Sequence, residues 1–197
     1  MRRRSSGMSL RVIVGPMFAG KTSEIQSVVR RYECLGRSVL VLTADIDNRY
    51  QSDGVRAIVN HDRAAMPAVA VAVDGLMRVL EMPEFAEAAA VVVDEAQFFV
   101  GCLIPFVRAA VDGANKHVVV VGLDSDAERR PFGDVLAAAA QADSVEKRTA
   151  LCRRCGDGTA AIFTRRLLGG GGGGSSDPVA VGGADSYEPV CRRHFNA

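Results

Sequence analysis

The sequence predicts an α/β fold, a parallel central sheet with helices on both faces, followed by a short C-terminal arm held together by a metal. Three observations carry that reading. Apolar runs at 10–14, 38–43, 90–93 and 118–121 are continuous rather than alternating, and helical patterns lie between them. Strands buried on both faces read in this way, and helical crossovers join them in parallel. The first run opens onto Gly15-Pro16-Met17-Phe18-Ala19-Gly20-Lys21-Thr22, which satisfies G-x-x-x-x-G-K-[ST]. Beyond Leu151 the chain turns to cysteine, arginine and glycine, with too little apolar content for a core of its own.

Taken in order, residues 10–14 are short, β-branched and apolar, as a buried strand requires. Residues 21–34 keep Ile25, Val28, Val29 and Tyr32 at helical spacing, and Gly36 breaks the pattern. Strand, glycine turn and helix form the context in which backbone N–H groups wrap a polyphosphate and the helix dipole favours it. There Lys21 is expected to reach the β- and γ-phosphates, and the Thr22 hydroxyl to serve Mg²⁺. A second buried strand is expected at 38–43. The polar stretch 44–56, with Asp47, Arg49 and Asp53, is either a loop that orders over a nucleotide or a solvated connection. Residues 57–60 read as a short strand, 68–73 as a small-residue β run, and 75–82 as a short helix ended by Pro83. A third strand, 90–93, finishes at Asp94-Glu95; a helix follows at 103–112, closed by Gly113. A fourth strand is expected at 116–123, an alanine-rich helix at 134–142, and a last strand at 144–151. The α/β domain therefore spans 10–150, behind a disordered head at 1–9 in which Met8 is an alternative start, and ahead of the arm at 151–197.

The whole chain bounds the function. Its 197 residues suffice for one sizeable core and an appendage. A formal net charge of +1 gives no general attraction to nucleic acid or to a membrane surface. No apolar run reaches the length of a membrane span, and the basic start, Arg2-Arg3-Arg4, is followed by polar residues rather than a signal-peptide core. Five cysteines, two of them in Cys152-x2-Cys155, suit a reducing cytoplasm and a metal site better than a disulfide framework.

Two further constellations carry chemistry. The strand before Asp94-Glu95 delivers two carboxylates at its C-terminal end, where ligands sit in open α/β sheets. Asp94 there can serve the metal. Glu95 can take a proton from an acceptor hydroxyl or position a hydrolytic water, so this pattern alone fits a kinase and an ATPase equally. The second constellation is Cys152-x2-Cys155 with Cys191-x2-His194, three thiolates and an imidazole suited to tetrahedral structural Zn²⁺. The spacer between the pairs is long for a zinc ribbon, which leaves free thiols as the alternative. Four protein ligands leave no open position for catalysis by that metal. Cys34 and Cys102 stand apart as core or near-surface residues. Between the ligand pairs, the glycines at 169–174 read as a linker.

In this order the pieces resemble the thymidine kinase family from about Leu10 onward. The carriers are the phosphate-loop octet, Asp94-Glu95-Ala96-Gln97-Phe98-Phe99, Arg130-Pro131-Phe132-Gly133, the Cys/His quartet and Gly182-Gly183-Ala184-Asp185-x-Tyr187. The resemblance implies a P-loop NTPase with a parallel central sheet plus a small zinc-containing lasso domain. It implies transfer of the γ-phosphoryl of ATP to the 5′-hydroxyl of thymidine or deoxyuridine, giving dTMP or dUMP for DNA precursor salvage. By position, Glu95 matches the catalytic base. Gly15, Pro16, Met17, Phe18, Ala19, Gly20, Lys21, Thr22, Asp94 and Gln97 match the ATP site, and Asp47 and Arg49 an Asp-x-Arg loop near the phosphates. Met17, Phe98, Leu123, Phe132 and Thr164 match the nucleoside pocket. Val179, Ala180, Val181, Gly182 and Gly183, with Tyr187, match a lasso whose main chain reads the pyrimidine. The resemblance further implies a homotetramer with feedback inhibition by dTTP, and no nucleic-acid or membrane partner. Three departures stand out: Ala127 where relatives carry a pocket aromatic, Ala96 where glycine is common, and a lasso lengthened by Leu167-Leu168 and the glycines.

Overall fold

The computed structural model describes residues 8–46, 55–59, 65–167 and 186–197. Strand β1 (Ser9–Val14) leads through the glycine loop into α1 (Lys21–Glu33), and β2 (Val39–Ala44) follows. Next come β3 (Val55–Val59), β4 (Ala65–Val71), a 3-10 turn at Leu76–Glu81, α2 (Pro83–Glu87) and β5 (Ala90–Asp94). Then α3 (Leu103–Arg108) runs on through a π-helical turn, Ala109–Gly113, into β6 (His117–Gly122), α4 (Val135–Ala139) and β7 (Ser144–Lys147). These strands form one seven-stranded sheet in the order β3-β4-β2-β5-β6-β1-β7. Every neighbouring pair is parallel except β3 with β4, an antiparallel edge.

The valine runs explain why the sheet reads as continuous apolar sequence. Val91 and Val93 pack to one face with Leu76, Phe85, Phe99, Leu103 and Phe106. Val92 turns to the other face, against Ile25 and Val28 of α1. Val118 to Val121 divide between the faces in the same way, and all seven of these valines are fully enclosed. Each such side chain contributes about 1.5–3 kcal/mol of burial, so both faces must stay covered.

Several boundaries differ from the sequence expectation, each for a local reason. Ser9, placed in the head, begins β1 opposite His117, and its hydroxyl bonds the His117 ring. Pro83 starts a helix instead of only ending one, because a first-turn residue has no intrahelical use for its N–H. The expected strand 144–151 is two. β1 runs out at Val14, whose carbonyl accepts the Arg148 N–H, and the chain leaves the sheet there. It re-enters as β8 (Ala150–Leu151), antiparallel to β9 (Ala160–Ala161).

The arm is completed by β10 (Phe163–Arg166), antiparallel β11 (Tyr187–Val190), and α5 (Arg192–Phe195). Its small core joins Ala150, Cys152, Ala161, Val190 and Cys191 with Phe163 and Phe195, and it also takes in Phe18 and Ala19 from the glycine loop. The buried Glu188 carboxylate accepts Arg154 Nε–H and Arg165 Nη2–H, each at 2.9 Å. Among the described residues no helix is long and apolar enough to cross a membrane.

Candidate active site

The loop after β1 is shaped by positions that admit little variation. At Gly15, with φ of 149°, an added Cβ would lie 2.5 Å from the Arg148 carbonyl oxygen. Gly20 is left-handed at φ 72°, and so is Phe18 at 65°, a backbone state that costs a non-glycine residue about 1–2 kcal/mol. The surroundings offset this: Phe18 packs on the arm's core, and the Met17 N–H donates to Thr164 Oγ1 of β10 at 2.9 Å. Lys21 closes the loop on itself, its Nζ donating to the carbonyls of Pro16 at 2.7 Å and Gly15 at 3.0 Å. Burial lowers the Lys21 pKa, against the pull of Glu95, Asp94 and Asp124. The ammonium therefore sits desolvated on neutral carbonyls, which a polyphosphate can displace.

Opposite the loop, β5 ends in buried Asp94. Burial raises its carboxyl from 3.8 to about 7, and the neighbouring Glu95 charge adds to the rise. The Glu95 N–H, donating to Asp94 Oδ1 at 2.9 Å, and the Lys21 charge work the other way. Glu95 itself is left-handed at φ 52°, and from it the 3-10 turn Ala96–Phe98 begins. Its carboxylate is held from behind. Gln97 is fully enclosed; its Nε2 donates to Glu95 Oε2 at 2.5 Å and its Oε1 accepts the Leu123 N–H at 3.0 Å. Two glycines make room for it. A Cβ on Gly122 would lie 2.7 Å from Gln97 Oε1, and one on Gly133 would lie 2.2 Å from the Gln97 carbonyl oxygen. Gln97, expected at the ATP site, has no exposed surface here, and its side-chain amide is engaged with Glu95 and the Leu123 N–H. Asp124, one residue beyond Leu123, carries an ion pair of 2.6 Å with Lys147.

The residues expected to line a nucleoside pocket come from several separate segments. Phe98 and Phe132 meet edge to face at 5.5 Å, both half-buried, as are Leu123 and Met17. Thr164 is buried and engaged by the loop, and Tyr187 opens β11. At Ala127 the chain makes a tight turn in which the Asp126 carboxylate accepts the N–H groups of Glu128 at 2.9 Å and Arg130 at 2.8 Å. That turn extends Arg129 over the rings of Phe195 at 4.5 Å and Phe163 at 5.5 Å. An arginine seated on arm aromatics thus fastens the loop around Ala127. Asp47, Arg49, Val179, Ala180, Val181, Gly182 and Gly183 lie outside the described residues, as do the glycines at 169–174.

Cys152, Cys155, Cys191 and His194 converge, all four donor atoms within 4.8 Å of one another. Cys155 and Cys191 sulfurs are 3.8 Å apart, and His194 Nδ1 lies 3.5, 3.3 and 3.6 Å from the sulfurs of Cys152, Cys155 and Cys191. Bonds of about 2.3 Å to sulfur and about 2.0–2.1 Å to nitrogen put tetrahedral edges at about 3.5–3.8 Å, so the donor set fits Zn²⁺. Burial opposes ionisation of both Cys152 and Cys155. At Cys152 the N–H groups of Cys191, Cys155 and Arg154, with His194, prevail and bring the thiol to about 6. The Arg165 Nη1–H, donating to the His194 carbonyl at 2.8 Å, ties the last ligand to β10.

A model of the thymidine kinase family matches residues 8–195. The chain belongs to the thymidine kinase family. It is 38% identical to thymidine kinase a of Arabidopsis thaliana over 99% of this chain and 77% of that one. To the thymidine kinase of rice it is 40% identical, covering 94% of this chain and 65% of the other. To that of Deinococcus radiodurans it is 38% identical, over the full length of this chain and 94% of the relative.

For this thymidine kinase family member, sequence reasoning missed contacts more than residues. Thr164, assigned to the nucleoside pocket, also accepts the Met17 N–H through its Oγ1. Arg148 was read as part of a strand, yet its guanidinium reaches the Gly20 carbonyl at 2.8 Å. The available signal was the run Glu146-Lys147-Arg148, three charges together in the last expected strand.

Proposed function

We propose that the protein phosphorylates thymidine and deoxyuridine at the 5′-hydroxyl, with ATP as donor and ADP and dTMP or dUMP as products. The observation that carries this is the family match along nearly the whole chain. The placement of Glu95 across from Lys21 supports it, because a transfer enzyme needs a fixed proton acceptor facing a fixed donor site.

In this reading the amides of Gly15 to Thr22 and the start of α1 cradle the ATP phosphates, and Lys21 exchanges the Gly15 and Pro16 carbonyls for phosphate oxygens. Glu95 accepts the proton of the 5′-hydroxyl as the oxygen–phosphorus bond forms and the bond from γ-phosphorus to the β–γ bridging oxygen breaks. Gln97 holds Oε2 and so sets the plane in which the other oxygen meets that hydroxyl. Most of the rate enhancement in such a transfer comes from positioning and charge stabilisation. Mg²⁺ fits beside Thr22 and Asp94, since a buried carboxyl held near neutrality is a site short of positive charge. When bound with ATP it neutralises charge on the β- and γ-phosphates. Structural Zn²⁺ on Cys152, Cys155, Cys191 and His194 would staple the two ends of the arm, residues 151–197, to each other, beside the sheet domain, residues 10–150. Phe98, Phe132, Leu123 and Met17 enclose the base, with Tyr187 and the main chain at Val179 to Gly183 reading the pyrimidine edge. The family resemblance supports a cytoplasmic homotetramer restrained by dTTP.

The test is transfer of radiolabel from ATP to a panel of nucleosides, with Glu95→Gln alongside. Label is expected on thymidine and deoxyuridine and not on purine nucleosides, and E95Q is expected to keep ATP binding while losing most transfer. ATP hydrolysis without nucleoside labelling refutes the reaction; near-normal turnover by E95Q refutes the base.

A further inference from the structure

Arg148 lies behind the phosphate loop, outside every role assigned above. Its three donor groups all have partners. Nη1 donates to the Gly20 carbonyl at 2.8 Å, Nη2 to Glu24 Oε2 at 3.1 Å, and Nε to Glu146 Oε1 at 2.7 Å. Glu24 and Glu146 are in turn joined by Arg11, at 3.0 and 2.6 Å. Carboxylates from α1 and β7 thus orient the guanidinium, and its remaining edge goes to one loop carbonyl. The main chain of the same residue meets the loop's other end. Its N–H bonds the Val14 carbonyl at 2.8 Å, and its own carbonyl lies where a Gly15 side chain would be.

The carbonyl it grips matters for the donor. Gly20, at φ 72° and ψ 25°, precedes α1, and its carbonyl also accepts the Glu24 N–H at 3.2 Å. A trans peptide is planar, so the Gly20 C=O and the Lys21 N–H point in opposite directions. Holding the carbonyl toward Arg148 holds the Lys21 N–H toward the loop interior. That N–H is among the first donors of α1 without an intrahelical partner, the kind that binds phosphate at helix starts. A glycine in this position turns easily, and a rotated peptide would aim a carbonyl lone pair at the phosphates instead.

We propose that Arg148 is a positioning residue for the donor nucleotide, fixing the Gly20–Lys21 peptide so that its N–H faces the ATP phosphates. The proposal rests on the reading of Gly15 to Thr22 as the ATP site. The test uses the purified full chain: calorimetric binding of Mg·ADP, KM for ATP and for thymidine, and thermal stability, for wild type, R148A and R148K. R148A is expected to weaken Mg·ADP and raise the ATP KM on the order of tenfold, the usual effect of losing one charge-assisted hydrogen bond, with the thymidine KM within about twofold. R148K retains the charge but cannot span both Gly20 and Glu24, and is expected to recover part of the loss. Mg·ADP binding by R148A within twofold of wild type overturns the proposal. So does an equal rise in both KM values with a lowered melting temperature, the mark of general loosening. Should R148A not fold, E146Q is expected to weaken Mg·ADP severalfold, and unchanged binding overturns the proposal. Failure of the wild type to bind Mg·ADP overturns instead the reading of the loop.

Discussion

Replacing Asp94 with asparagine should remove a pH dependence of stability that the ligand-free protein otherwise shows. The Asp94 carboxyl titrates near 7 in the fold against 3.8 when unfolded. Between those values the native state holds a proton that the unfolded chain has released. Stability from this group is therefore complete below pH 3.8, declines as pH rises, and is gone above about 7. The full span is about 4 kcal/mol at about 1.4 kcal/mol per unit, and roughly half of it falls between about pH 5.5 and pH 8. For a chain of this size about 2 kcal/mol corresponds to a fall in Tm of about 4–8 °C. Asparagine keeps the shape and carries no charge, so D94N should lose that fall while sharing every other titration. The assay is calorimetric melting of both proteins in magnesium-free buffers across that range. Parallel Tm profiles for wild type and D94N would refute the reasoning. Adding Mg·ATP to wild type should give more stabilisation at pH 8 than at pH 5.5, because the cation selects the ionised carboxylate.

Three further outcomes follow from named contacts. Gly133→Ala should lower both stability and kcat, since its Cβ would stand 2.2 Å from the Gln97 carbonyl and displace the group that holds Glu95. Gly101→Ala is the control. Its φ of 78° is equally unfavourable but nothing lies within 4 Å, so it should cost only the backbone penalty of about 1–2 kcal/mol and leave kcat intact. Thr164→Val leaves the Met17 N–H without its acceptor, which should cost about 1–3 kcal/mol in denaturant melts and raise the ATP KM. Cys191→Ala should abolish stoichiometric zinc by elemental analysis and expose the arm to proteolysis, because the arm's core is too small to stand without the metal.

What the sequence conveyed followed from how strictly physics constrains each part. The valines of β5 and β6 face cores on both sides, so no polar residue is tolerated and the run is legible. The quartet is legible because Cys-x2-Cys and Cys-x2-His are residue types and short spacings suited to one tetrahedral metal. The edge was harder. β7 pairs with β1 as far as Lys147 opposite Val14, and nothing in Arg148-Thr149-Ala150-Leu151 marks that the chain departs there. Pro83 misled because proline suits both the end of one helix and the first turn of the next. The enclosure of Gln97 was hidden for a different reason. A polar residue beside two carboxylates looks like a ligand contact, and only Gly122 and Gly133, distant in sequence, reveal that it is enclosed.

Phe18 and Ala19 belong to the phosphate loop by sequence and to the arm's core by packing. A nucleotide-binding loop is often treated as a cassette that travels with its strand and helix. Here the cassette is incomplete: the left-handed Phe18 is supported by side chains more than a hundred positions downstream. A fragment ending at residue 150 would retain the motif letter for letter and lose what bends it. Grafting this octet onto another sheet, or trimming the arm to shrink the enzyme, should therefore fail at the donor end first, although the truncation lies wholly at the other end of the chain.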